Sequence, residues 1–146
     1  MRIYLDNCCL NRPFDDCTQV RIALEAEAVS AILRLCESGA WTLIGSDALD
    51  FEAGQAPLGP RKAWLEEVLL GAGEFVPMSA DIVARATELE TRGLKNIDAI
   101  HVASAEAVQA DIFCTCDDRL LRIARKQADL RARVASPLEI IQELEP

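Results

Sequence analysis

The chain has 146 residues, 51% of them hydrophobic and 27% charged, and a formal net charge of −9. That is the length of one ordinary domain with enough apolar residues to bury a core, which excludes a disordered chain. Apolar runs such as Trp64-Leu65 and Val68-Leu69-Leu70 are broken by charge and too short for a bilayer, and no basic region followed by an apolar stretch opens the chain. The expectation is a cytoplasmic protein with no membrane partner. So acidic a surface repels polyanions at long range, which argues against broad nucleic-acid binding but not against an enzyme whose acids are neutralised by metal ions.

Arg2-Ile3-Tyr4-Leu5 reads as a short strand, and Asp6 follows where it stops. Asn11 to Asp16 carries the Asn, Pro and Asp chemistry of a loop. Thr18 is placed to cap a long helix to about Ser38, with Val20, Leu24, Ala28, Ile32, Leu35 and Cys36 at helical spacing and Gly39 at its stop. Trp41 to Ile44 reads as a second strand, and Ser46 as the cap of a short helix through Phe51 and Glu52. Gly54 to Pro60 is a Gly- and Pro-rich break, Arg61 to Leu70 looks helical, and Glu74 to Val76 is a short strand. Ser79 opens a helix to about Arg92, closed by Gly93, and the Ala-rich stretch Ile97 to Gln109 is a largely buried helix. Ile112 to Thr115 forms a fourth strand, Asp118 to Gln127 a helix, Val134-Ala135 a last short strand and Pro137 to Leu144 a terminal helix. Strands separated by helices of this length need crossover connections. The fold class is therefore α/β, a three-layer α/β/α sandwich around a central, mostly parallel sheet, with residues 1–146 as a single domain.

The six cysteines, Cys8, Cys9, Cys17, Cys36, Cys114 and Cys116, lack the Cys-x-x-Cys pairing of structural zinc sites. Without a secretion signal, reduced and mostly buried thiols are favoured over both disulfides and zinc.

The acids sort by position. Asp6 ends the first strand, Glu52 ends the short helix after the second, Asp98 lies in the first turn of the Ala-rich helix, and Asp117 follows the fourth strand. Strand ends and adjoining helix starts share one edge of a parallel sheet, where ligands collect. Each acid also has a plainer reading. Asp98 complements the helix dipole, Asp117 and Asp118 suit a turn and an N-cap (the cap being preferred for Asp118), and Glu52 alone reads as surface. Most other acids sit beside Arg or Lys and read as solvated faces. Taken together, clustered carboxylates raise one another's pKa and need cations to stay ionised. All-oxygen clusters suit Mg²⁺ or Mn²⁺, which can ionise a water and neutralise a phosphodiester.

These residues resemble the PIN-domain nucleases, among them VapC-type toxins, over nearly the whole chain. YLDNCCL resembles the family's opening hydrophobic-Leu-Asp segment and implies Asp6 as the first acid. IGSDALDFE resembles its strand, Ser and spaced Glu, and implies Glu52; GLKNIDAIHVASA is similar to its D-A-x-H-x-A-x-A helix and implies Asp98. FCTCDDRLL resembles its T-x-D turn and implies Asp117. Members commonly follow the first Asp with Thr or Ser and then Asn, whereas Asn7 and Cys8 stand there in this chain. The resemblance implies a PIN-like fold, a metal-dependent endoribonuclease acting on RNA with Mg²⁺ or Mn²⁺ at Asp6, Glu52, Asp98 and Asp117, a homodimer and, for a toxin, a cognate antitoxin. Glu25 and Glu27 are rival acids ranked behind Glu52, since Glu25 lies four residues after Arg21 as in a surface pair; Asp50 would point elsewhere. His101, three residues after Asp98, is favoured as a packed residue with one satisfied nitrogen over a general base. Lys95, Arg12 and Arg119 are candidate phosphate contacts. An aspartate-based phosphotransfer domain and a non-catalytic nucleic-acid or protein-binding module on a degenerate nuclease fold remain the alternatives.

Overall fold

Ile3, Tyr4 and Leu5 have no solvent exposure, and neither do Phe113 and Cys114, so two strands are covered on both faces. Strands of that kind read as unbroken apolar runs and sit centrally in parallel sheets. The computed structural model describes residues 1–144. Its strands are β1 (Arg2–Leu5), β2 (Thr42–Ser46), β3 (Glu74–Val76), β4 (Ile112–Cys114) and β5 (Arg133–Ala135). They form one five-stranded sheet in the order β3-β2-β1-β4-β5, and every pairing is parallel. The register sets Leu5 opposite Cys114, Ser46 opposite Val76 and Cys114 opposite Ala135, so all strands end along one edge. The chain runs outward from β1 to β3, then restarts on the other side of β1 at β4. The crevice between β1 and β4 is therefore the topological switch point, where open α/β sheets place their ligands.

The connecting helices are α1 (Asn7–Asn11), α2 (Val20–Glu37), α3 (Asp47–Gln55), α4 (Pro60–Leu70), α5 (Ala80–Thr91), α6 (Asn96–Ala107), α7 (Asp118–Arg125) and α8 (Pro137–Leu144). Ser46 and Ser79 cap α3 and α5 as their sequence contexts require, accepting from the N–H groups of Leu49 and Ile82 at 3.0 and 3.2 Å. Helix α5 closes with Gly93 at φ 105°, the Gly93 N–H donating to Glu90 O and the Leu94 N–H to Leu89 O. Helix α6 ends the same way two residues before Gln109, which takes the left-handed conformation at φ 54° without being glycine. No helix among the described residues is long and apolar enough to cross a membrane.

Three expectations change. The stretch read as a loop begins instead with helix α1 and a 3₁₀ turn over Arg12–Phe14, because Asp6 caps α1 and Cys9 and Leu10 are buried beneath it. Thr18 does not cap α2; its hydroxyl donates to Asp16 Oδ1 at 2.6 Å, and Gln19 holds the cap position without a side-chain bond. Glu25 and Glu106 are not on solvated faces. They are 2% and 4% exposed, Glu25 beside Arg21 and Arg12, and Glu106 beside Arg85.

Candidate active site

Asp6 leaves β1 with its N–H bonded to Cys114 O at 2.9 Å, so the switch-point crevice is laced shut at its base. Its carboxylate does several things at once. Oδ1 accepts from the Asn7 N–H at 2.8 Å, while Oδ2 accepts from the Thr115 hydroxyl at 2.9 Å and the Cys8 thiol at 3.3 Å. Asp6 is only 4% exposed. Burial first, and then Cys8, push its pKa well above the usual carboxyl range, against the pull of His101 and the Thr115 hydroxyl.

Thr115 ties this acid to the next, since its Oγ1 also accepts the Asp117 N–H at 3.1 Å. Asp117 is the N-cap of α7: its Oδ1 accepts from the N–H groups of Arg119 and Leu120 at 2.9 and 3.2 Å. The cap assignment to Asp118 is thus corrected. Asp118 points to solvent and takes a bidentate pair from Arg21 at 2.6 and 2.8 Å. Asp98, in the first turn of α6, is half-buried and meets no protein hydrogen-bond donor among the described residues. Burial, then the charges of Asp117 and Glu52, raise its pKa; His101 and Lys95 oppose them. Asp98 is thus electrostatically coupled to both neighbouring acids.

Glu52 is held by both oxygens. Oε2 accepts from Asn7 Nδ2 at 3.0 Å, and Oε1 bonds His101 Nε2. The other His101 nitrogen, Nδ1, lies 2.6 Å from the Tyr4 hydroxyl, which is itself 2.7 Å from Ser46 Oγ. A row of buried polar groups therefore runs Ser46–Tyr4–His101–Glu52 and fixes the orientation of the Glu52 carboxylate. Burial alone would lower the His101 pKa, but the Glu52 hydrogen bond and the charges of Asp6, Glu52 and Asp98 outweigh it and hold it above the usual histidine value. His101 is packed, as expected, but with both nitrogens engaged rather than one. The row was not read from the sequence, although a signal existed. A tyrosine in a fully buried strand and a lone histidine in an apolar helix each need a polar partner, and each is the other's.

Beside Glu52 opens a groove of about 500 Å³, lined by Asn7, Asn11, Phe51, Glu52, Arg61 and Ile97 among others. Phe51 is 64% exposed on its wall. Of the candidate phosphate contacts, Lys95 and Arg119 are exposed near the acids. Arg12 is not available, being paired to Asp15 at 3.0 Å and Glu25 at 3.7 Å.

As donors the acids are all oxygen, which suits a hard divalent ion. Asp98 and the Asp117 Oδ2 atom carry no hydrogen bond among the described residues, and none of Asp6, Asp98 or Asp117 pairs with Arg or Lys there. The oxygens stand apart: among the described residues, the one group of three potential ligands whose atoms all lie within 4.8 Å of one another is Cys8, Cys9 and Cys116.

No curated protein matches the chain. A solved structure of similar fold is that of VapBC2 from Rickettsia felis bound to a DNA fragment from their promoter. It has a TM-score of 0.59 and 18% identity, covering 93% of this chain and 98% of that one. The PIN domain family model matches residues 3–126. With that match spread over the strand ends and helix starts that carry Asp6, Glu52, Asp98 and Asp117, the chain belongs to the PIN domain family, whose members are generally nucleases that use divalent metal ions.

Proposed function

We infer that the chain is a single-domain endoribonuclease that hydrolyses RNA phosphodiester bonds at the corner formed by Asp6, Glu52, Asp98 and Asp117, and that it is the toxin of a type II toxin–antitoxin pair. The observation that carries this is the set of acids left without an Arg or Lys partner beside the switch point, with the groove running up to Glu52. Mg²⁺ or Mn²⁺ held by these oxygens would supply charge to neutralise the phosphodiester and to acidify water. The chain's own residues do the rest. Thr115 holds Asp6 and Asp117 at a common spacing, and Asn7 and His101 clamp Glu52 from either side. The free oxygens of Asp98 and Asp117 complete the set.

Single-stranded or looped RNA is the substrate this groove fits. Exposed Phe51 offers a face for stacking a base and Arg61 a cation for the backbone, whereas a stiff duplex cannot bend into the corner. The groove is also the face an antitoxin would cover. The likeness to VapBC2 supports an antitoxin partner. By the family resemblance, a homodimer is the assembly we assign to the chain.

The test is cleavage of a structured RNA with Mn²⁺ present. It should stop with EDTA and in folded Asp98→Asn; activity that survives either would sink the proposal. A second reading, a binding module without catalysis, draws on the wide spacing of the acids and the near-complete burial of Asp6. Calorimetric titration of the RNA-free protein with Mn²⁺ separates the two, a silent titration favouring the module.

A further inference from the structure

Beside Asp6, sulfur atoms gather from both ends of the sequence. Cys8 and Cys9 lie in the first turn of helix α1, and Cys116 follows β4, 107 positions after Cys9. Their three sulfurs all lie within 4.8 Å of one another, and Cys9 Sγ is 3.6 Å from Cys116 Sγ. Two thiols joined as a disulfide would stand at about 2.05 Å, so these are free. Two sulfurs sharing one metal ion at bonds of about 2.3 Å stand about 3.8 Å apart in a tetrahedron and slightly more in a trigonal plane. The observed separation is therefore close to that of a ligand pair before any rearrangement.

Hydrogen-bond donors reach the cluster from two sides. The Cys116 N–H donates to Cys8 Sγ at 3.3 Å, and the Thr115 hydroxyl lies 3.4 Å from the same sulfur. The Arg12 guanidinium interacts electrostatically with Cys116, and its Nε is a buried donor with no partner. Such outer donors stabilise the negative charge that ligating sulfurs carry. Plain core packing accounts for the volume of Cys9 and for its thiol's bond to Cys114 O at 3.4 Å, but it gives no reason for three sulfurs to gather beside the one buried guanidinium N–H left without an acceptor among the described residues.

We propose that Cys8, Cys9 and Cys116 form a second metal site, a three-thiolate site for a soft closed-shell cation of the Cu(I) type. Thiolates select soft ions and carboxylates hard ones, so the two neighbouring sites sort cations by chemistry. Three sulfurs complete a trigonal Cu(I) site, whereas Zn(II) would have to take its fourth ligand from outside the three, such as a water. On binding, each thiol gives its proton to solvent and its lone pair to the ion. Cys8 then no longer donates to Asp6 Oδ2, a bond of 3.3 Å in this structure, and half-buried Cys8 is the side from which an ion enters. The site goes beyond the nuclease reading and holds whether or not the chain cuts RNA.

The experiment uses the reduced full chain under nitrogen, with excess Mg²⁺ to fill oxygen sites, titrated with Cd²⁺ as probe. The expected result is a sulfur-to-cadmium charge-transfer band that saturates at one equivalent. Cys8→Ser should lose one thiolate's share of the band, and Cys116→Ala should lose the saturating equivalent. Cys17→Ser and Cys36→Ala, whose thiols lie outside the cluster, should titrate like the parent. Cu(I) added as its acetonitrile complex should then remove the cadmium band, and Zn²⁺ should not. If Cys116→Ala fails to fold, Cys8→Ser decides, because a serine hydroxyl keeps the contacts to Asp6 and Thr115. The absence of a band, an undiminished band in Cys8→Ser, or its loss in the Cys17 or Cys36 variants overturns the site. Failure of Cu(I) to displace cadmium overturns the choice of ion. No RNA enters the assay, so its outcome is independent of any result on cleavage.

Discussion

Glu106 and Asp98 stand on the same helix, α6, in opposite electrostatic company. The Glu106 carboxylate is 4% exposed and accepts from Arg85 Nε and Nη2 at 2.9 and 3.2 Å and from the Arg131 N–H at 3.2 Å. Asp129 joins the same cluster through Arg85 at 3.2 Å and Arg92 at 2.6 Å. Asp98, by contrast, feels the charges of Asp117 and Glu52 and, among the described residues, is paired with no Arg or Lys. The lesson is one of provision. Where an acid serves the fold, the chain pairs it with an Arg; at the sheet edge, among the described residues, Asp6, Asp98 and Asp117 form no ion pair. A protein with a formal net charge of −9 and 15 Lys and Arg could have spread its cations evenly, and it does not.

The two regions should therefore respond in opposite ways when an acid is neutralised. Glu106→Gln leaves Arg85 part-buried with only Glu88 and Asp129, and should cost about 3 kcal/mol, the low end for breaking a buried pair. Urea unfolding measures this, and cleavage per folded molecule should hold. Asp6→Asn keeps a residue able to cap α1, so stability should stay level or rise. Cleavage should fall by about a hundredfold or more, beyond the loss typical of an outer partner. If both variants lost stability alike, the contrast between the regions would be wrong.

Tyr4→Phe probes the row behind Glu52 with little change in volume. It leaves His101 Nδ1 and Ser46 Oγ without their shared partner, and should cost about 1–2 kcal/mol in stability. Cleavage should fall about tenfold, in kcat rather than KM, because Glu52 loosens while the groove is untouched. A rise in KM alongside the fall in kcat would mean that the row shapes the groove instead.

Much of this was visible in the residues. Apolar runs and Ser or Gly punctuation located every strand and the helices from α2 onward, because those signals are local. Asp6, Glu52, Asp98 and Asp117 could be placed at one edge because a parallel sheet aligns its strand ends whatever the sequence separation. What escaped depended on contacts between distant segments. Glu25 four residues after Arg21 looks the same on a surface as in the interior; only Arg12, brought over by the turn after α1, makes it a buried pair. Helix α1 has weak helix formers at Asn7, Cys8 and Cys9 and exists because Asp6 caps it and Leu10 is buried. The thiol cluster joins residues whose spacing along the chain matches no metal motif, since the sheet register, not the sequence interval, brings Cys116 to Cys9.

The smallest effect is the sharpest discriminator, because it sets the two regions against each other in one titration. Asp6 and Asp98 have folded-state pKa values raised above the ordinary carboxyl range. The folded protein holds those protons more tightly than the unfolded chain, so their contribution to metal-free stability is full at acid pH and lost as pH climbs through the raised values. Asp129 is the reverse. Arg92 and Arg85 hold it at about 2, so its contribution is present above the ordinary carboxyl value and lost as pH falls toward 2. Thermal melts of metal-free protein should thus show stability falling on the alkaline side of the carboxyl range as well as at strong acid. Mn²⁺ binds the ionised acids, so it should restore the alkaline side by about 1 kcal/mol at five times its Kd and leave the acid side unchanged. Asp98→Asn should lessen the alkaline decline, leaving the Asp6 share, and abolish the Mn²⁺ gain. If the Mn²⁺ gain persisted at acid pH, or survived in Asp98→Asn, the ion would be binding somewhere other than the acids left unpaired at the sheet edge.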